Sequence, residues 1–233
     1  MSRDGEDREA SSAKHRWLIL MKKEFSFYEF VGVIVPGAVF LIIVAQAFPE
    51  IGIGIDTKGL SVGGFGVFAI IAYALGHLLQ SVGNIIEKIW WTLFGGMPTN
   101  WVIKDTKKLY LSEEQLQTLL QNVADILHLK AKKALRDYSQ EDWVAISRQI
   151  YAAVRQANAT DRVDIFNGNY GFFRGIAASL LIGIVVLIVK SGITHWELLV
   201  VVACFLAMAI ARMHRFGKHY ARELYVQFIQ IKK

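Results

Sequence analysis

The chain is poor in the residues that build reactive or cross-linked sites. It has one cysteine, Cys204, which lies inside an apolar run. A single cysteine cannot form a disulfide within the chain, and no cysteine and histidine spacing is typical of a zinc site. The sequence also has no phosphate-binding loop and no nucleophile elbow. We therefore expect no metal, no cofactor, no catalytic residue and no enzymatic activity.

The beginning of the sequence lacks the apolar stretch and the small-residue cleavage site of a signal peptide. Its first 24 residues are polar and carry both acidic and basic side chains. We expect residues 1–24 to be a cytoplasmic polar tail, with the first apolar run serving as the targeting signal.

What the sequence has in abundance is apolar residues. They make up 54% of the chain, and the mean hydropathy is +0.35, which places it above ordinary soluble domains and in the membrane class. The net charge is +6. In membrane proteins an excess of Lys and Arg marks the cytoplasmic side, and no nucleic-acid motif accompanies it, so we do not expect nucleic-acid binding.

Four apolar runs approach the roughly 20 residues that a helix needs to cross a bilayer. They cover residues 30–48, 62–82, 172–189 and 196–210. The sequence therefore predicts an all-α fold with four transmembrane helices. Residues 25–86 form the first pair of spans and residues 171–211 form the second.

The distribution of Lys and Arg predicts how the chain is threaded. Of the 26 such residues, six precede the first span, twelve lie from Lys88 to Arg174 at the start of span three, and six follow span four. The two short connectors hold one each, Lys58 and Lys190. By the positive-inside rule, both termini and the middle segment face the cytoplasm.

The middle segment, residues 87–170, has the pattern of amphipathic helices. A capping box begins at Ser112 and ends at Gln115, and apolar residues then recur at helical spacing. Ser139 begins a second such helix. We predict a cytoplasmic helical hairpin between spans two and three. About 80 residues make a small core, so we also expect a cytosolic protein partner to bind residues 87–170.

Polar side chains recur at regular steps in and after span two, where a bilayer would favour apolar ones. They are Tyr73, His77, Gln80, Asn84 and Glu87. At 100° per residue they lie within an arc of about 80°. Leu79, Ile86 and their neighbours form an opposite face that suits lipid.

This polar stripe has three possible explanations. Its residues form hydrogen bonds between helices, they line a water-filled path in an oligomer, or they bind a ligand or lipid. Gly76 and Gly83 flank the stripe and allow a close approach of another helix.

Three further features lie within or near the spans. Pro36 and Gly37 predict a kink in span one, either static or a hinge. Glu29 is a candidate partner of Arg174 or Arg212 at the membrane interface, unless each side chain extends separately to the headgroups. Residues 167–171 contain two Asn and two Gly and predict a turn before span three.

The C-terminal segment, residues 212–233, predicts a basic amphipathic helix. Its basic face consists of Arg212, Arg215, His219 and Arg222. Its other face is aromatic and apolar, and includes Phe216, Tyr220, Leu224 and Phe228. This pattern favours a helix lying on the inner membrane surface among anionic lipids.

Two motifs carry a resemblance. They are F-Y-E-F-x-G-x-x-x-P-G at residues 27–37 and G-H-L-L-Q at residues 76–80. With the helical insert and the final pair of spans, they resemble small uncharacterised bacterial four-span inner-membrane proteins. Some proteins of that type are membrane subunits of phage-defence systems, so the resemblance implies a similar antiviral role.

Three functional hypotheses follow. The leading one is a homo-oligomeric, channel-like assembly that couples a cytoplasmic signal or partner to membrane permeability. The first alternative is a passive membrane anchor that recruits a cytosolic protein. The second is a membrane enzyme acting on lipid, with His77 or His219 as the base.

Overall fold

A computed structural model of the chain describes residues 27–51, 62–129, 132 and 134–231. The predicted tail at residues 1–24 and the connector carrying Lys58 lie outside the described residues. Within the described part of the chain every regular element is helical.

Six helices are longer than two turns. They are α1 Phe27–Ala47, α2 Val62–Leu93, α3 Glu113–Asp125, α4 Gln140–Gln156, α5 Asp161–Ser191 and α6 Trp196–Gln230. Between α2 and α3 lie a one-turn helix, Trp101–Lys104, and two short 3-10 turns. Four helices, namely α1, α2, α5 and α6, are long and apolar enough to cross a membrane. The predicted all-α fold with four helices able to cross a membrane is confirmed for the described residues.

Three of the four long helices continue well past their predicted spans. Helix α2 extends to Leu93, α5 begins at Asp161, and α6 runs without a break to Gln230. The predicted turn at residues 167–171 is therefore wrong. Packing overrides the local turn preference there, since Tyr170 is buried and bonds to Trp91.

The C-terminal segment also differs from its prediction. It is not a separate surface helix but the continuation of α6, and its apolar residues Leu224 and Phe228 are buried against protein. This face therefore cannot lie on lipid. The prediction missed it because an apolar helix face has the same pattern whether protein or membrane covers it.

The spans pack closely through small residues. Helix α5 contacts α1, α2 and α6, and α1 also contacts α2. A methyl group on Gly37 would overlap the carbonyl oxygen of Ala72, and one on Gly76 would overlap that of Val33. The backbones of α1 and α2 thus touch where they cross. The predicted close approach at Gly76 is confirmed.

The middle segment forms a core around the C-terminal half of α6. Helices α3 and α4, the two predicted amphipathic helices, both pack against α6. The capping box at Ser112 is present, and the Ser139 hydroxyl accepts a hydrogen bond from the Asp142 amide. Both helices thus share α6 as their packing partner. A self-contained hairpin of α3 and α4 would not need that contact.

Buried polar groups fix this core. Trp143 and Tyr225 are fully buried, and the Trp143 indole N–H lies 3.0 Å from the Tyr225 hydroxyl and from the Thr99 carbonyl. The Asn122 amide donates to the Phe228 carbonyl at 3.2 Å. Because buried polar groups are costly unless paired, these bonds select one arrangement of the core.

Candidate functional site

The five residues of the polar stripe do not share one environment. Gln80 and Glu87 are half-buried against neighbouring helices, whereas Tyr73, His77 and Asn84 are exposed. The inward face of α2 is instead made of small or apolar residues, namely Ala72, Gly76, Leu79 and Gly83. Leu79 does not lie on a lipid-facing surface as predicted, because it shares a face with the close contact at Gly76.

Gln80 compensates for the proline in α1. A proline has no N–H, so Pro36 leaves the carbonyl of Gly32, four residues earlier, without its helical donor. The Gln80 Nε2 atom donates to that carbonyl at 3.0 Å. A freed backbone group inside a membrane has to find another partner, and here a side chain of α2 supplies it. The Gln80 bond therefore ties α1 to α2.

Arg174 of α5 extends the same network. Its Nη2 atom donates to Gln80 Oε1 at 3.0 Å, and its Nη1 atom donates to Glu87 Oε2. The Arg174 and Glu87 side chains are 22% and 19% exposed, so the ion pair is shielded from solvent on most sides. The network of Gly32, Gln80, Glu87 and Arg174 joins three spans. Its chemistry is that of interhelical hydrogen bonding.

The structure does not test the interfacial ion pairs predicted for Glu29. The Glu29 side chain lies outside the described part of the structure, so these pairs stay predictions. Arg174 is already paired with Glu87. The Arg212 guanidinium lies 5.5 Å from the ring centroids of both Phe173 and Phe216, which is the geometry of a cation–π contact.

Pro36 and Gly37 of α1 form a contact site for the neighbouring helices. Helix α1 continues across it, and the Ser179 hydroxyl of α5 lies 2.7 Å from the Pro36 carbonyl. Ser179 is fully buried. The backbone at Pro36 and Gly37 therefore contacts α2 on one side and α5 on the other. These contacts favour a fixed conformation over a hinge. The hydroxyl was missed because a lone serine in an apolar run gives no pattern.

The exposed part of the stripe has few contacts within the chain. The rings of Tyr73 and His77 meet edge to face at 4.6 Å. Asn84 lies on the same side of α2, two turns from His77, and the three residues span an arc of about 40°. We call Tyr73, His77 and Asn84 the polar trio. The trio lies on the outer surface of the single-chain bundle. The exposed apolar residues Leu78 and Ile85 lie about 100° further round α2.

The basic face of α6 is also divided. Arg212 points toward the aromatic rings of α5 and α6, whereas Arg215 and Arg222 are exposed on another side, near Lys218. The Arg215 Nε atom donates to His219 Nε2 at 3.4 Å. Burial, followed by Arg215 and other nearby cations, lowers the pKa of His219.

Two further cations of this region, Lys108 and Lys218, were missed from the sequence. They face the same cavity as Arg215 and Arg222. Lys218 follows His214 by four residues, so the helical period could have placed it on this side. Lys108 comes from a 3-10 turn far away in the sequence, and no local pattern places it here.

Comparison with known proteins adds no relative. The chain matches no family model, no curated protein and no solved structure. The resemblance to four-span proteins of phage-defence systems therefore stays a prediction from its motifs.

Proposed function

We propose that the protein is a homo-oligomeric membrane protein of the bacterial inner membrane, in which the polar trio faces other copies of the chain. The carrying observation is the exposure of Tyr73, His77 and Asn84 on a helix whose other exposed residues between Gly63 and Ile85 are, apart from Ser81, apolar or glycine. An amide without a partner costs roughly 2–7 kcal/mol in an apolar environment. A second copy, or water enclosed between copies, removes that cost.

The same surface supports a path for water or ions. Polar residues within spans face a bundle interior or a water-filled cavity far more often than lipid. When each subunit contributes one helix with a narrow polar strip, symmetry places the strips around a common axis. His77, Asn84 and Tyr73 would then line the path, while Gln80 and Glu87 hold the subunit together from behind.

In this proposal, the middle segment transmits movement to the spans. Trp91 at the end of α2 donates a hydrogen bond to Tyr170 of α5 at 2.7 Å. Gly217 of α6 lies so close that a methyl group there would come within 2.7 Å of the Trp91 ring. Helices α3 and α4 pack against α6, so a displacement of either would act on α6 and, through Trp91, on α2 and α5. This packing is consistent with a cytosolic partner, bound by residues 87–170, as the trigger. The distribution of Lys and Arg supports placing both chain termini on the side of that partner.

Ion flux through liposomes tests the proposal. The variant His77→Leu/Asn84→Leu removes two of the three polar side chains of the trio and leaves the network at Gln80 intact. The matched control, Leu78→Ala/Ile85→Ala, alters two exposed residues on another side of α2. We expect the wild type and the control to conduct, with the cytosolic fraction present, and the His77/Asn84 variant to lose flux by about tenfold or more. Equal flux in all three proteins contradicts the proposal.

A passive membrane anchor is the second candidate, and the network at Gln80 favours it. Two of the five stripe residues bind neighbouring helices, as expected for residues that only hold a bundle together. If no protein conducts in the liposome assay but the middle segment still captures a cytosolic protein, the anchor is the better account. A role in phage defence is compatible with either candidate and rests on the motif resemblance alone.

A further inference from the structure

Two cavities meet at His214, where α6 leaves its predicted span. The first has a volume of about 320 Å³ and lies between α6 and the turn that carries Lys108 and Tyr110. The second is an apolar groove of about 420 Å³ between the end of α2 and α6. His214 lines both. The two cavities are therefore adjacent, as two halves of one site with different chemistry.

The first cavity is strongly cationic. Four basic side chains line it, namely Lys108, Arg215, Lys218 and Arg222, and none of its described lining residues is acidic. Two carboxylates lie nearby. Asp105 is 3.5 Å from the Lys108 ammonium, and Glu223, which pairs with Arg162 at 3.4 Å, acts on the neighbouring His219. Among the residues that the structure describes, the other three cations form no ion pair. Such a cluster attracts phosphate, whose charge and oxygen atoms suit Lys and Arg together.

The second half of the site suits a hydrocarbon chain. Its walls are the rings of Trp90 and Phe94 on one side and Ala207, Ile210 and Ala211 on the other. Trp90 Nε1 donates to His214 Nδ1 at 3.1 Å, so the indole nitrogen is paired and leaves an apolar surface in the groove. Aromatic rings beside small residues at the end of a span are typical of the membrane interface.

The helical period aligns the two halves. Ala207, Ala211, His214, Lys218 and Arg222 follow one another by four, three, four and four residues, so they share one face of α6. Along about 22 Å this face changes from apolar to cationic. The change occurs at the predicted end of span four. A ligand that fills both halves is apolar at the membrane end and anionic at the other.

We propose that this site binds one anionic phospholipid, with its phosphate-bearing headgroup in the cationic cavity and part of an acyl chain in the apolar groove. A soluble phosphate compound would use the cationic half alone and would leave the groove without a function. The bilayer supplies an amphipathic ligand at this depth, and each cation near an anionic membrane surface adds to the attraction. Binding at this site differs from general attraction to the membrane surface because the groove provides a defined place for the acyl chain.

Native mass spectrometry of the full-length protein with added phosphatidylglycerol or phosphatidylcholine tests the headgroup half. The Lys218→Ala/Arg222→Ala variant removes two cations of the cavity. The control, Arg148→Ala/Arg155→Ala, removes two exposed cations of α4. We expect phosphatidylglycerol to bind more tightly than phosphatidylcholine, and the cavity variant to weaken it about 30-fold. The control should change it by less than about twofold. Equal losses in the two variants indicate unspecific charge attraction and overturn the proposal.

The groove is tested with Ala211→Leu, which fills it and keeps every charge. Its probe pair is phosphatidylglycerol and glycerol 3-phosphate, which carries the phosphate without the chain. We expect Ala211→Leu to weaken binding of the lipid only. If glycerol 3-phosphate binds as tightly as the lipid and the substitution changes neither, the ligand is a soluble phosphate compound and the lipid proposal is wrong.

Discussion

The bond between Gln80 and the Gly32 carbonyl makes a prediction about two substitutions that compensate for each other. Gln80→Leu keeps the size of the side chain but removes the donor at 3.0 Å from Gly32. The carbonyl is then unpaired because Pro36 cannot supply an N–H. Leaving a buried acceptor unpaired costs about 1–3 kcal/mol. Hydrogen bonds in membranes average about 0.6 kcal/mol, so we expect a loss of about 1–2 kcal/mol in the free energy of unfolding.

Pro36→Ala should lessen that loss. The alanine restores a backbone N–H, which can donate to the Gly32 carbonyl in the ordinary helical pattern. By itself Pro36→Ala also removes contacts of the proline ring with α5, near Gly175. That cost appears equally in the single and the double variant, so the double-mutant cycle cancels it. We expect a coupling energy of about 1 kcal/mol. The remaining cost of Gln80→Leu is the lost acceptor for Arg174.

Reversible unfolding in mixed detergent micelles, followed by tryptophan fluorescence, measures the four free energies. A parallel cycle with Gln121→Leu is the control, since Gln121 is exposed and lies on α3. That cycle should be additive within about 0.3–0.5 kcal/mol. If the Gln80 and Pro36 substitutions are also additive within this limit, the proline does not explain why Gln80 is there, and the reasoning is refuted.

Two further predictions concern helix packing and pH. Gly76→Ala should lower the free energy of unfolding by about 3 kcal/mol, because the new methyl group overlaps the Val33 carbonyl of α1. Gly66→Ala, where nothing lies within 4 Å, should be neutral or stabilising, and an equal loss at both sites in detergent unfolding contradicts this. Burial, followed by Lys218, lowers the pKa of His214. The folded chain then binds this proton more weakly than the unfolded chain, so stability is full above about pH 6.5 and falls as the pH drops below it. An imidazole NMR titration with a midpoint at or above 6.5 would refute the shift.

The sequence was sufficient for the features that depend on local pattern. Long apolar runs predicted the four spans, and the Ser112 and Ser139 helix starts were recognisable from their caps. These features need only residues near one another in the chain. The same local reasoning failed at residues 167–171, where burial of Tyr170 keeps the helix continuous despite two glycines.

The partners of polar residues depended on alignment between helices. Glu87 and Arg174 are both candidate site residues in the sequence. The sequence gives no register between α2 and α5, so it does not predict the ion pair between them. The sequence predicts one polar surface because all five stripe residues fall in one arc. The structure divides that arc at its edge, where Gln80 and Glu87 meet a neighbouring helix and the trio does not.

Cysteine cross-linking in membranes tests most directly whether the exposed trio faces other copies of the chain. In a Cys204→Ala background, His77→Cys and Asn84→Cys place a thiol on the polar side of α2, and Leu78→Cys places one on an exposed apolar side. If the trio faces other copies, the first two variants cross-link between chains rapidly and Leu78→Cys does not. Equal cross-linking at all three positions, or cross-linking at Leu78→Cys alone, would contradict the claim that the polar trio forms the subunit interface.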